Sequence, residues 1–241
     1  MIQAKNDIIA ALQSDILRLQ GFKPALTGQR DAGLGPIREC LPNGIFPVGA
    51  VHEFIIDSPG NTASTTAFIA SLLASLTDGK ATTLWLGKTA SVFPPGLVHF
   101  GIQPHRCIFV DLALKDMAWA MEESLKCGAL TAVIGGMDQL SFTESRRLQL
   151  AVEKSQVTGF VLRKWKKNIN TTACVSRWKI MSVHSETMDG LPGVGFPKWS
   201  VELLRMRNGK TGKWEVSWKE GKFCYGSEER TTFDLQTRKA G

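Results

Sequence analysis

The sequence predicts an α/β fold: a mostly parallel twisted sheet flanked by helices and extended by antiparallel strands toward the carboxyl end. Three observations carry this reading. Between residues 48 and 162, short apolar runs of strand length alternate with stretches of helical periodicity. After residue 170 the alternation stops, and strand-like runs follow one another without helices. The 241 residues are 43% hydrophobic and 21% charged, an ordinary globular balance that can bury a core without cross-links.

Residues 6–20 read as a helix, because Ile8, Ile9, Leu12, Ile16, Leu17 and Leu19 recur at spacings of three and four behind the caps Asn6 or Asp7. Residues 21–44 are rich in Gly and Pro and read as a linker or extended arm. The run 48–56 is a first strand, 57–61 a loop, and 62–77 a buried helix carrying Phe68, Ile69, Leu72, Leu73 and Leu76. Second and third strands fall at 82–87 and 107–110. Asp111 is the expected cap of a helix in which Leu114, Ala118, Met121 and Leu125 share a face. The run 130–136 is apolar enough to be a strand buried on both faces. Ser141 and Glu144 form a capping box for a helix to about Ser155, and 157–162 is a fifth strand. Runs at 172–183, 199–207 and 214–218 complete the sheet, with Asn208-Gly209-Lys210-Thr211-Gly212 as a hairpin turn. The expected organisation is an amino-terminal helix and arm over 1–33, a folded domain over 34–226 and a tail over 227–241.

Charge is distributed unevenly. The chain has 29 Lys and Arg against 22 Asp and Glu, net +7. Residues 160–241 alone hold 16 basic and 8 acidic side chains, so the excess lies entirely in the last third. Such a field suits either a polyanion, most often nucleic acid, or a solvated basic surface. Five scattered cysteines lack metal-ligand spacing and read as reduced thiols. No apolar run approaches the length of a membrane span, and the first residues lack the pattern of a secretory signal, so the expectation is a cytoplasmic protein without membrane contact.

The phosphate-loop position, between the first strand and its helix, holds Ser58, Gly60, Asn61, Thr62, Ser64 and Thr65. It lacks the Gly-Lys-Ser/Thr ending whose lysine neutralises phosphate, and Asp57 adds a negative charge instead. Gly87-Lys88-Thr89 is a decoy, since Thr82 stands where the pattern needs its first glycine. A carboxylate to hold magnesium is missing from the end of the fourth strand: Gly135-Gly136 stands there, and Asp138 comes two residues late. His52 reads as a hydrogen-bonded core or turn residue, and His105 with Cys107 is too few ligands for a metal. No catalytic residue, metal or cofactor is expected, and the chain reads as no enzyme.

The run Leu41-Pro42-Asn43-Gly44-Ile45-Phe46-Pro47-Val48-Gly49-Ala50-Val51-His52-Glu53-Phe54 resembles the approach to a RecA-type core, and the strand order after it is similar. The phrase ending Val51-His52-Glu53-Phe54, the degenerate phosphate loop and Ser176-Arg177-Trp178 further resemble the ImuA family, RecA-like accessory factors of bacterial error-prone repair. The resemblance spans about residues 34–225. Carried over position by position, the phosphate lysine falls on Thr62 or Ser64, the catalytic glutamate near Lys88 and the magnesium aspartate on Gly136. The resemblance therefore implies a RecA fold without its ATPase chemistry.

In RecA a loop after the fifth strand holds single-stranded DNA. The corresponding stretch here is Arg163-Lys164-Trp165-Lys166-Lys167-Asn168-Ile169-Asn170. Cations spaced around an indole suit phosphates and a stacked base; the alternative is a charged turn with Trp165 folded onto the core. Arg177, Lys179, Arg205, Arg207, Lys210 and Lys213 are supporting cations. The amino-terminal helix suits either docking on a partner or packing on its own core. By resemblance to the ImuA family, the chain is a non-hydrolysing accessory protein of SOS-induced translesion synthesis. Its implied partners are an ImuB-type Y-family polymerase-like protein, an error-prone replicative-type polymerase, RecA and single-stranded or damaged DNA, with nucleoid association when engaged. Alternatives are a RecA-like repair factor with residual ATP binding, or a cell-division inhibitor of the SulA kind.

Overall fold

A computed structural model describes residues 32–87, 92–167, 169–185 and 195–225. One nine-stranded sheet organises them, in the order β3-β2-β4-β5-β1-β6-β7-β8-β9. The strands are β1 (Val51–Ile56), β2 (Thr83–Leu86), β3 (Cys107–Val110), β4 (Ala132–Gly136), β5 (Thr158–Lys164), β6 (Ser176–Ser182), β7 (Lys198–Met206), β8 (Gly212–Lys219) and β9 (Lys222–Tyr225). From β3 to β6 all neighbours are parallel, and β7, β8 and β9 are added antiparallel. The predicted class therefore holds: mixed α/β, mostly parallel, with antiparallel carboxyl-terminal strands.

Helix α1 (Asn61–Thr77) covers one face of the sheet; α2 (Met117–Leu125) and α3 (Phe142–Ser155) cover the other. Alternation along β1 divides the two cores. Phe54 packs beneath α1 with Phe68, Phe160 and Trp178, whereas Val51 belongs to the opposite core with Met121 and Leu148. His52 shares the α1 face, fully buried. Pro47 O can only accept, so His52 Nε2–H donates to it at 2.7 Å and Nδ1 accepts from Ser176 Oγ at 2.6 Å. Ser176 Oγ in turn accepts the indole N–H of Trp178 at 2.6 Å. Burial outweighs the Pro47 hydrogen bond and lowers the His52 pKa to about 4, so the ring is neutral.

Several local expectations are met. Ser141 caps α3 with the reciprocal Glu144 contact, at 3.1 and 2.7 Å. Asn208 turns the β7–β8 hairpin in the left-handed region (φ 57°). A Cβ at Gly209 would collide with the Cys40 carbonyl, the group that accepts Lys210 N–H at 3.0 Å, so only glycine lets the hairpin dock there.

Others are corrected. Asp111 does not start a helix; a 3-10 turn over Leu114–Asp116 intervenes, and α2 begins at Met117 behind Asp116. Leu114 is 66% exposed, off the buried face. Residues 32–44 are no loose arm: Leu34, Ile37 and Leu41 are buried in the α1-side core along two 3-10 turns, Gly35–Cys40 and Pro42–Gly44. Strand β9 was not anticipated, because its four residues carry too short an alternation to read. The predicted helix at 6–20, the decoy Lys88-Thr89 and the tail 227–241 lie outside the described residues.

Candidate functional site

The carboxyl ends of β4, β5, β1 and β6 meet along one edge of the sheet, and both stretches singled out in the sequence converge there. After β1, residues 57–60 make a short turn into α1. The amides of Asn61 and Thr62, which a phosphate loop would leave free, donate to Ser58 O at 3.0 Å and Pro59 O at 3.2 Å. Ser58 and Gly60 are exposed, and Asn61 and Thr62 half-buried; Ser64 and Thr65 are buried helical side chains, with Thr65 Oγ1 bonded back to Asn61 O at 2.8 Å. Of the four hydroxyls in this degenerate loop, those of Ser64 and Thr65 are buried.

An internal charge pair occupies this turn. Lys179 Nζ, from β6, lies 2.9 Å from Asp57 Oδ2, and Asn61 Nδ2 donates to Asp57 Oδ1 at 2.7 Å. Burial opposes ionisation of Asp57, but the hydrogen bonds from Lys179 and Asn61 and the Lys179 charge outweigh it and hold the carboxyl below its ordinary pKa. Asn61 Oδ1 also accepts Ser182 N–H at 3.0 Å, tying the loop to the end of β6.

The basic stretch divides into an inner and an outer part. Strand β5 runs two residues further than expected, so Arg163 and Lys164 belong to it. Arg163 is 5% exposed; its Nη1 closes on Glu53 Oε1 and its Nη2 donates to Asn170 Oδ1 at 2.9 Å. Lys164 is exposed and pairs with Asp138 at 3.1 Å. Trp165 is 48% exposed, not folded onto the core, with its backbone N–H on Ile56 O at 2.7 Å and Lys179 Nζ 5.4 Å from its ring centroid. Lys166 and Lys167 point to solvent.

The remaining arginines turn inward. Glu53, with no exposed surface, accepts Arg177 Nε at 2.7 Å and Thr172 Oγ1 at 3.1 Å besides Arg163. Arg177 Nη2 holds Asn170 O at 2.8 Å, Arg205 Nη1 holds Thr172 O at 2.8 Å and Arg207 Nη2 holds Ala173 O at 2.7 Å. Four of the candidate DNA-contacting cations, Arg163, Arg177, Arg205 and Arg207, therefore brace the β5–β6 connector. Glu53 is fully buried and would otherwise be an unsatisfied charge, and Thr172 and Ala173, whose carbonyls Arg205 and Arg207 reach, are buried residues. Lys210 and Lys213 are exposed, but they follow β7 at the opposite end of the sheet.

Glu53 is a group of this site to which the sequence reading assigns no role. Glu53 stands in a strand apolar on both sides, and such a carboxylate demands a cation on a neighbouring strand. Its cations come from the strands on either side, Arg163 of β5 and Arg177 of β6, while Lys179, on the same face of β6 as Arg177, pairs with Asp57. Among the described residues no three His, Cys, Asp or Glu come together as a metal site, and no helix is long and apolar enough to cross a membrane.

Comparison with known proteins completes the site's description. No family model matches the chain. Protein ImuA of Caulobacter vibrioides strain NA1000 / CB15N is 32% identical over 192 residues, covering 73% of this chain and 77% of the relative. The chain belongs to the ImuA family. Protein ImuA of the C. vibrioides strain ATCC 19089 / CIP 103742 / CB 15 matches equally. The cell division inhibitor SulA of Photorhabdus laumondii is 26% identical over 103 residues, 42% of this chain and 58% of that relative. Asp57, Trp165, Lys179 and the three lysines Lys164, Lys166 and Lys167 lie together at the carboxyl edge of the sheet.

Proposed function

We propose that this ImuA-family chain is a non-hydrolysing accessory protein of SOS-induced, error-prone translesion synthesis on a RecA-like scaffold. In this reading it bridges single-stranded or damaged DNA, RecA and the polymerases of the mutasome, an ImuB-type polymerase-like protein and an error-prone replicative-type enzyme. Family membership supports the repair setting. The observation that carries the DNA contact is Trp165, half exposed among Lys164, Lys166 and Lys167 at the carboxyl edge of the sheet. Lysines exchange counterions for phosphates, and the indole offers a sequence-tolerant stacking face. The bonded amides of Asn61 and Thr62, together with Asp57 in the turn, support a scaffold that works by contact and not by hydrolysis.

Fluorescence anisotropy with a labelled single-stranded oligonucleotide tests this. Lys164, Lys166 and Lys167 changed together to Ala should weaken binding and lower the slope of log K against log salt by about 2, roughly 0.7 per lost phosphate contact. An unchanged slope removes the turn as a DNA contact. The partial SulA match supports a second reading, inhibition of division through a protein partner; that reading requires no salt-dependent DNA binding at all.

A further inference from the structure

The two converging loops are mechanically joined. Lys179 holds Asp57 at 2.9 Å through its ammonium while the same ammonium sits 5.4 Å from the Trp165 ring centroid. Asp57 is itself anchored by Asn61, which also fixes Ser182, and the Trp165 backbone hangs on Ile56, the residue before Asp57. A lysine free of its carboxylate would spread over many rotamers, and the indole would lose the cation that covers one of its faces. With that face covered, one face remains for a ligand, in keeping with the ring's 48% exposure.

Resting on the DNA-contact reading above, we infer that Asp57 is a positioning residue of this surface. Its carboxylate keeps Lys179 against Trp165 and so presets, without any bound nucleotide, a one-sided platform that stacks a single unpaired base, with Lys164, Lys166 and Lys167 left for the flanking phosphates. The turn that would cradle phosphate in a nucleotide-binding protein thus serves the DNA-facing side chain. The exposed Lys164–Asp138 pair does not oppose this, since such solvated pairs are weak and exchange readily for a phosphate.

The sign of one substitution separates this from plain electrostatics. Asp57 is an anion beside a surface proposed for a polyanion, so charge alone makes Asp57→Asn bind single-stranded DNA more tightly. Positioning makes it bind about five- to tenfold more weakly, toward the lower end of what the loss of one stacked base does. The experiment measures dissociation constants for an oligo-dT by anisotropy, with tryptophan quenching as a second readout, for wild type, D57N, W165A and the double variant, each checked for an unshifted melting midpoint. The expected result is weaker binding and reduced quenching in D57N, with no further weakening when D57N is added to W165A. Equal or tighter binding by D57N with full quenching overturns the inference. Lys179→Leu, which keeps the apolar stem and removes the cation, is the second variant and should also reduce quenching; full quenching there overturns it equally. If W165A and the triple lysine variant both bind as wild type, the DNA-contact reading itself fails and this inference falls with it.

Discussion

Arg177 Nε lies 2.7 Å from Glu53 Oε2, joining β6 to β1 through a carboxylate that has no exposed surface. Arg163 closes on the other oxygen from β5, so a single side chain in the central strand ties together three neighbouring strands. Glu53→Ala leaves two arginines facing an uncompensated interior and should destabilise the fold by about 3–5 kcal/mol. Glu53→Gln keeps the shape and part of the hydrogen bonding, and should lie between the two. Urea unfolding measures both; a loss under about 1 kcal/mol for the Ala variant would show the arginines re-partnered by water.

His52 makes stability depend on pH. Its folded-state pKa of about 4 lies below the ordinary value of 6.5, so between those limits the unfolded chain binds the extra proton. Stability from this group is complete above about pH 6.5 and falls with acidification until about pH 4, by about 3 kcal/mol in all. In His52→Asn this component vanishes, and its stability should fall less steeply over that window than wild type. Parallel curves for the two proteins would mean that the ring is not held neutral.

Adenosine triphosphate with magnesium should leave the melting midpoint where it is. The amides of Asn61 and Thr62 are already bonded, and a carboxylate, Asp57, shares the turn with its own cation. A ligand bound to the folded state at a hundred times its Kd adds about 2.7 kcal/mol, an easily measured upward shift. Such a shift on adding the nucleotide would favour the reading with residual ATP binding.

The thiols should react in order of access. Cys127 is exposed, while Cys174 is buried and its pKa is raised to about 12, first by burial and then by the nearby Glu53 charge. A thiol-exchange reagent should modify Cys127 first and leave Cys174 untouched until denaturant is added. Early labelling of Cys174 would reveal local opening beside the Glu53 cluster.

Much of the architecture was readable without coordinates, because it rests on local patterns. Short apolar runs mark β1 to β8 and helical apolar spacing marks α1 to α3, and the Ser141–Glu144 capping box marks the start of α3 to the residue. The missing lysine after Gly60 and the indole of Trp165 within a basic run are equally legible, whereas the exposure of that indole is not. Element boundaries were less so: Asp111 reads as a cap, yet its chain continues extended until the turn at Leu114–Asp116.

Local patterns alone set the mixed α/β class, the order of the elements up to β8, the absence of a phosphate lysine and the basic bias of the last third. Which cations meet solvent depends on how the strands are paired. Arg163, Arg177, Arg205 and Arg207 look as basic on paper as Lys166 and Lys167, yet the arginines point inward to carbonyls and Glu53. The reason is physical. A side chain's preference for helix or strand is set by its near neighbours, whereas its partner is set by strand register between segments as far apart as the 124 positions separating Glu53 from Arg177.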